Sequence, residues 1–383
     1  MNYSAQLQNL KDNNLFRERV VRTSKVGRYV SINGKQLLNF NCNDYLDLSA
    51  HPALIIAATN ASQKLGQGST GSPLMSGYTS LHQELEFAMA SFLGYDKAVL
   101  FSTGYMANLG IAQALLNKDD VLIEDKLNHA SLIDGTLLAR AQLKRYPHLN
   151  YDKAEEALQL KEDKNALLAT DGIFSMDGDS PDLRALSVMA QTYSSLLWVD
   201  DAHGIGVAGD SGRGTTEQQG LNKNNVPLLS GTFGKAFGSS GAYAVGSNEV
   251  IETLIQKART YKFNTSMPVS TVAANLKALE IIQTESWRRE KVLDLIHYYK
   301  EQVILYDLEP FALESDSAIQ PFVLGSEEAT LEKAAYLLDR GIFVSAIRPP
   351  TVAKNQCRLR FTLTAALEKE DIDLLIQCLI GNY

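Results

Sequence analysis

The chain has 383 residues, 45% hydrophobic and 21% charged, with 36 Lys and Arg against 44 Asp and Glu for a formal charge of −8. That length and composition predict a folded protein with more than one core region, not a disordered one. The acidic balance speaks against a nucleic-acid platform, which needs a concentrated positive field.

Three cysteines, Cys42, Cys357 and Cys378, lack CxxC spacing, so neither a disulfide framework nor a structural zinc site is expected. Met1 to Arg22 is polar and charged, and no later stretch reaches about eighteen uninterrupted apolar residues. A cytoplasmic protein with no membrane partner is the expectation.

Residues 1–45 read as an N-terminal segment, 46–285 as a large domain and 286–383 as a smaller C-terminal domain. From Lys97 onward, β-rich runs alternate with helical patterns: Ala98–Ser102, Val121–Glu124, Ala166–Thr170, Ser195–Asp200, Pro227–Ser230 and Ala242–Val245. These runs are apolar throughout, as in strands covered on both faces, which predicts an α/β domain with a mostly parallel sheet. Past Met267-Pro268 a long helical pattern spans Val269–His297. Beyond it, Ala318–Leu324, helical Ala329–Arg340, Ile342–Ala346, Arg358–Leu363 and a terminal helix read as α+β.

Lys235 lies among small residues directly after a predicted strand, where backbone approaches a ligand closely. A neutral amine there would attack an aldehyde to form a Schiff base; an ordinary lysine after a strand is the bland alternative. Asp200-Asp201-Ala202-His203 falls just beyond a strand's C-terminal end, where open α/β sheets bind ligands. Asp200 would hold a pyridine nitrogen protonated while His203 bonds a ring hydroxyl; a helix cap beside a polar loop histidine fits as well. At Gly104-Tyr105 a strand gives way to a helix start suited to phosphate, with the Thr232 hydroxyl adding contacts. His129 offers a flat ring for stacking. The acidic loop Asp171–Asp179 lacks calcium-loop spacing and reads as site wall, with no metal expected. Gly204-Ile-Gly206-Val-Ala-Gly209 matches a dinucleotide fingerprint but precedes a poor helix opening. Gly231–Ala236 has the wrong spacing for a P-loop.

In chain order, Gly104-Tyr105, His129, Asp200-Ala202-His203 and Thr232-Gly234-Lys235 resemble the α-oxoamine synthases, pyridoxal-phosphate enzymes of the aspartate-aminotransferase-like fold type I. The likeness runs from Asn39–Leu46 through Gly68-Ser69 and Gly77 to Arg358–Thr362, nearly the whole chain. It implies pyridoxal 5'-phosphate on Lys235, with His129, Asp200 and His203 at its ring. It also implies a homodimer whose sites lie at the interface. Gly104, Tyr105, Ser175 and Thr232 complete the cofactor set, and Thr265 and Ser266 reach a phosphate across that interface. Arg360 would hold the amino acid's carboxylate, and Arg17, Asn43 and Thr351 the rest of the substrate. Asp171 stands where close relatives are expected to carry glutamate. Ser345–Val352 and Ile319-Gln320-Pro321 are similar to the members that condense L-alanine with a pimeloyl thioester, on CoA or acyl carrier protein, in biotin synthesis. Condensation of glycine with acetyl-CoA, or a non-catalytic binding protein of the same fold, are the alternatives.

Overall fold

The computed structural model describes residues 2–161 and 163–381. Its strands, in chain order, are β1 (Tyr29–Ile32), β2 (Lys35–Asn39), β3 (Lys97–Phe101), β4 (Val121–Asp125), β5 (Gln142–Tyr146), β6 (Ala166–Asp171), β7 (Leu196–Asp200), β8 (Leu228–Thr232), β9 (Ala242–Gly246), β10 (Ile319–Gly325), β11 (Ile342–Phe343), β12 (Ser345–Ile347) and β13 (Cys357–Thr362). The chain forms two compact units. One comprises Leu48–Ser175 and Ser180–Arg289; the other comprises the residues up to Asp47, Met176–Asp179 and those from Glu290 on.

The larger unit is built on a seven-stranded sheet of order β3-β9-β8-β7-β6-β4-β5. The five strands β8 to β5 in that order run parallel, while β9 is antiparallel to both neighbours. All residues of β4, β6 and β9 are buried, as their unbroken apolar runs predict. Val99, Phe101, Ile111, Trp198 and Tyr261 belong to one core cluster of this unit. Because the parallel strands point the same way, Asp171, Asp200 and Thr232, the last residues of β6, β7 and β8, reach one edge together. That edge is where a ligand site forms in such sheets.

The turn after β8 carries Lys235 and closes on itself: Gly238 N donates to Lys235 O, and Ser239 N to Phe233 O. Gly238 holds φ +63°, and a Cβ there would lie 2.3 Å from Ser49 N and 2.5 Å from Leu48 C. Both facts require glycine. Gly238→Ala is expected to lower stability by about 3 kcal/mol, read as a drop in Tm; an unchanged Tm would contradict this packing.

In the smaller unit, β1 and β2 form a hairpin whose β2 pairs in parallel with β11, so residues before Asp47 share a sheet with the C-terminal part of the chain. A second sheet has the order β10-β13-β12. Ile342–Ala346 reads as one strand in the sequence but is two: β11 joins the hairpin and β12 joins β13. The helical run from Val269 is likewise two helices, Val269–Thr284 and Trp287–Leu305. Glu285 leaves helical geometry, and its carboxylate accepts from Arg288 Nε at 2.8 Å, so the chain restarts instead of continuing. Among the described residues no helix is long and apolar enough to cross a membrane.

Candidate active site

At the carboxyl edge of the larger sheet, Gly104, Tyr105, Asn108, His129, Asp171, Asp200, Ala202, His203, Thr232 and Lys235 line a single cavity of about 190 Å³. Seven of the residues singled out from the sequence therefore meet: Gly104, Tyr105, His129, Asp200, His203, Thr232 and Lys235.

Each is delivered by a different local device. Asp200 ends β7, and its carboxylate accepts from Asn108 Nδ2 at 2.5 Å and from Ala202 N at 3.1 Å. Asp201, next in the chain, turns away instead. It is fully buried, its Oδ2 accepts from Thr215 N at 2.8 Å, and burial pushes its carboxyl up to about 7. His129 caps the helix Ala130–Ala139, its Nδ1 meeting Ser131 N and, at 2.7 Å, Ser131 Oγ. Burial lowers the imidazole's affinity for a proton; the Asp200 charge opposes this and Lys235 adds to it.

The helix Gly104–Leu115 starts at the cavity with Thr103 as its cap, accepting from Met106 N at 3.1 Å. The amides of Gly104 and Tyr105 precede any intrahelical acceptor, as the first amides of a helix must. The Thr232 hydroxyl donates to Gly241 O at 2.9 Å and accepts from Gly234 N at 3.1 Å, so it is already engaged in the Lys235 turn.

The remaining candidates are placed elsewhere. Ser175 lies in the loop after β6, beyond Asp171, and is not among the residues lining the cavity. Thr265 and Ser266 line a separate cavity of about 20 Å³ with Ser102, His82 and Glu86. The Ser266 hydroxyl there is buried and unpartnered. In the smaller unit, Arg17 donates to Thr351 Oγ1 at 3.3 Å and to Arg348 O at 3.2 Å. Arg360 donates to Asn43 Oδ1 at 3.1 Å and Thr362 Oγ1 at 2.8 Å. The four substrate candidates thus form two bonded pairs. Arg358, by contrast, is committed to Asp177 at 2.7 Å. The glycine fingerprint after β7 folds into a tight loop, Gly206 N bonding Gly212 O, with no helix opening from it.

Of the lining residues, Asn108 went unrecognised in the sequence, and Asp171 reads there only as part of a site wall. Asn108 is 2% exposed and touches Asp200 directly. Asp171 pairs in register with Asp200 across β6 and β7, and its Oδ1 accepts from His129 N at 3.3 Å. Burial first, then the Asp200 charge, raise the Asp171 carboxyl well above the usual range, which favours its protonated form. Acidic residues at the ends of adjacent parallel strands were the available signal.

The donor set suits pyridoxal 5'-phosphate. Asp200 accepts N–H donors on both of its oxygens, an arrangement suited to holding a protonated pyridine nitrogen. An imidazole flanks the cavity, an amine stands in its wall, and helix-start amides suit a phosphate. The sheet order and this constellation define a pyridoxal-phosphate enzyme of fold type I.

The chain belongs to the aminotransferase class I and II family, whose model matches residues 35–379. It is 45% identical over 377 residues to an 8-amino-7-oxononanoate synthase from Pseudomonas aeruginosa, covering 98% of this chain and 93% of that protein. A synthase of the same name from Nitrosococcus oceani is 42% identical, covering 98% and 99%. Among solved structures, a serine palmitoyltransferase from S. paucimobilis with bound PLP and myriocin superposes with TM-score 0.93 at 28% identity, covering 99% of this chain and 96% of that one. An 8-amino-7-oxononanoate synthase from Francisella tularensis gives 0.78 at 31% identity, covering 90% and 97%.

Proposed function

We propose that the chain catalyses the decarboxylating condensation of L-alanine with a pimeloyl thioester, giving 8-amino-7-oxononanoate, CO2 and the free thiol carrier, in biotin synthesis. The observation that carries this is 45% identity along 98% of the chain to a synthase of that activity, joined to a cavity holding Lys235, Asp200, His203 and His129 together.

Pyridoxal phosphate, when bound, supplies an electron sink that stabilises negative charge at an amino acid's α-carbon. The chain's own residues do the rest. Lys235 Nζ would hold the cofactor covalently and is the amine placed to take the α-proton of alanine. Asp200 would keep a proton on the pyridine nitrogen, His203 would bond the ring hydroxyl, and His129 would cover a ring face. The amides of Gly104 and Tyr105 would take the phosphate, with the Thr232 hydroxyl beside it. Thr265 and Ser266, being outside this cavity in one chain, serve the site of a second copy in a homodimer. Arg360 takes alanine's carboxylate, because a planar guanidinium matches a carboxylate with two parallel donors, and Asn43 orients it. Arg17 and Thr351 meet the acyl substrate.

The purified protein is expected to release CO2 and the aminoketone product from L-alanine and pimeloyl-CoA or pimeloyl-acyl carrier protein, and to be at least about tenfold slower with glycine and acetyl-CoA. Preference for the glycine pair would reassign the substrates within the family. Failure with both pairs would leave a non-catalytic binding protein.

A further inference from the structure

Behind the cavity wall lies a continuous polar chain in an otherwise apolar core. Trp198 Nε1 meets Ser230 Oγ at 3.0 Å, Ser230 Oγ meets Asn108 Oδ1 at 3.0 Å, and Asn108 Nδ2 meets both Asp200 Oδ2 at 2.5 Å and Ser131 Oγ at 2.9 Å. Ser131 Oγ then meets His129 Nδ1 at 2.7 Å. We propose that this chain is directional, and that through Asn108 and Ser131 it fixes the His129 ring as its Nε2–H tautomer.

The direction follows from counting protons. An indole N–H can only donate, so Ser230 accepts from Trp198 and its single proton goes to Asn108 Oδ1. That sets the amide's orientation and turns both Nδ2 hydrogens toward Asp200 and Ser131. At the far side Asp200, whose other oxygen accepts from Ala202 N, is served by donors alone. Ser131 Oγ, having accepted from Asn108, has its own proton left for His129 Nδ1. The Ser131 amide is aimed at the same nitrogen, at 3.4 Å. A ring nitrogen receiving two donors carries no proton, so the ring's hydrogen sits on Nε2.

Solvent does not compete along the inner part of this chain, since Trp198 and Ser131 are 0% exposed, Ser230 1% and Asn108 2%, while the His129 ring at its end is exposed at the cavity. The burial and the nearby Lys235 that keep the imidazole neutral act in the same sense. Asn108 and Ser131 are therefore positioning residues. Asn108 serves the acid at the pyridine position and, through Ser131, the ring-covering histidine at once. This consequence for catalysis rests on the functional reading above; the tautomer itself does not.

The test is nitrogen NMR of the holoenzyme with isotope-labelled histidine, His129 being assigned by the signals lost in His129→Gln. The expected wild-type spectrum has a bare Nδ1 and a protonated Nε2 at His129. Ser131→Ala should shift His129 toward a mixture of tautomers and lower kcat about tenfold. Asn108→Ala should do the same and also alter the cofactor's visible band through Asp200. A protonated Nδ1 in the wild type overturns the proposal without any variant, and so does an unchanged tautomer in Ser131→Ala. No turnover on either substrate pair, with His129 in the Nε2–H form, would sink only the functional reading.

Discussion

Lys235→Ala is expected to reduce turnover roughly ten-thousandfold and to remove the visible absorbance of the bound cofactor. Two functions are lost together, the covalent hold on the cofactor and the base that moves the α-proton. Nothing else in the wall replaces them. Desolvation disfavours a charged His129, whose Nδ1 is engaged with Ser131, and burial shifts the Asp171 carboxyl toward its protonated form. The turn Phe233–Ser239 is held by backbone bonds and by the Gly238 contact with Ser49, none of which involves the lysine side chain, so the variant should fold normally. A purified variant with unchanged melting and intact visible absorbance would remove Lys235 from the role of anchor.

The local pattern of Lys235, a lysine in a glycine-rich turn directly after an apolar strand, left an ordinary lysine open, and the chain order of His129, Asp200 and His203 on other strands decided it. The same holds for Asp200, which ends a run buried on both sides. The parallel strands β4, β6, β7 and β8 could be read because burial of all or nearly all of their residues imposes a mainly apolar run. Strand β5 could not. Gln142–Tyr146 includes Lys144 and Arg145, and as the last strand of the sheet it pairs only with β4, so charged side chains are tolerated on it. The β1–β2 hairpin, short and half exposed, escaped notice for a similar reason. Asn108 and Ser131 were invisible on other grounds. Their value lies in bonds to residues 92 and 23 positions away, respectively Asp200 and Asn108, and no local pattern encodes such meetings.

Asp200→Asn should cost a hundredfold to a thousandfold in kcat, on the order of what one preorganised electrostatic contact supplies, with a smaller change in KM for alanine. The shape is nearly conserved, so the loss measures charge, not packing. An amide cannot keep the pyridine nitrogen protonated, and Asn108, whose Nδ2 sits 2.5 Å from Asp200 Oδ2, would face a neutral partner. Asp171 makes the outcome more informative. Its carboxyl is raised by burial first and by the Asp200 charge second, so removing that charge brings it back down and favours a negative charge one strand away. Part of the lost field should return as pH rises. The double variant Asp171→Asn/Asp200→Asn should therefore be slower than Asp200→Asn alone, although Asp171→Asn by itself, replacing a carboxyl that burial shifts toward its protonated form, should change kcat little. Strict additivity would mean that the two strand-end carboxyls act independently. A fully active Asp200→Asn variant with an unchanged cofactor spectrum would assign the pyridine contact to another residue.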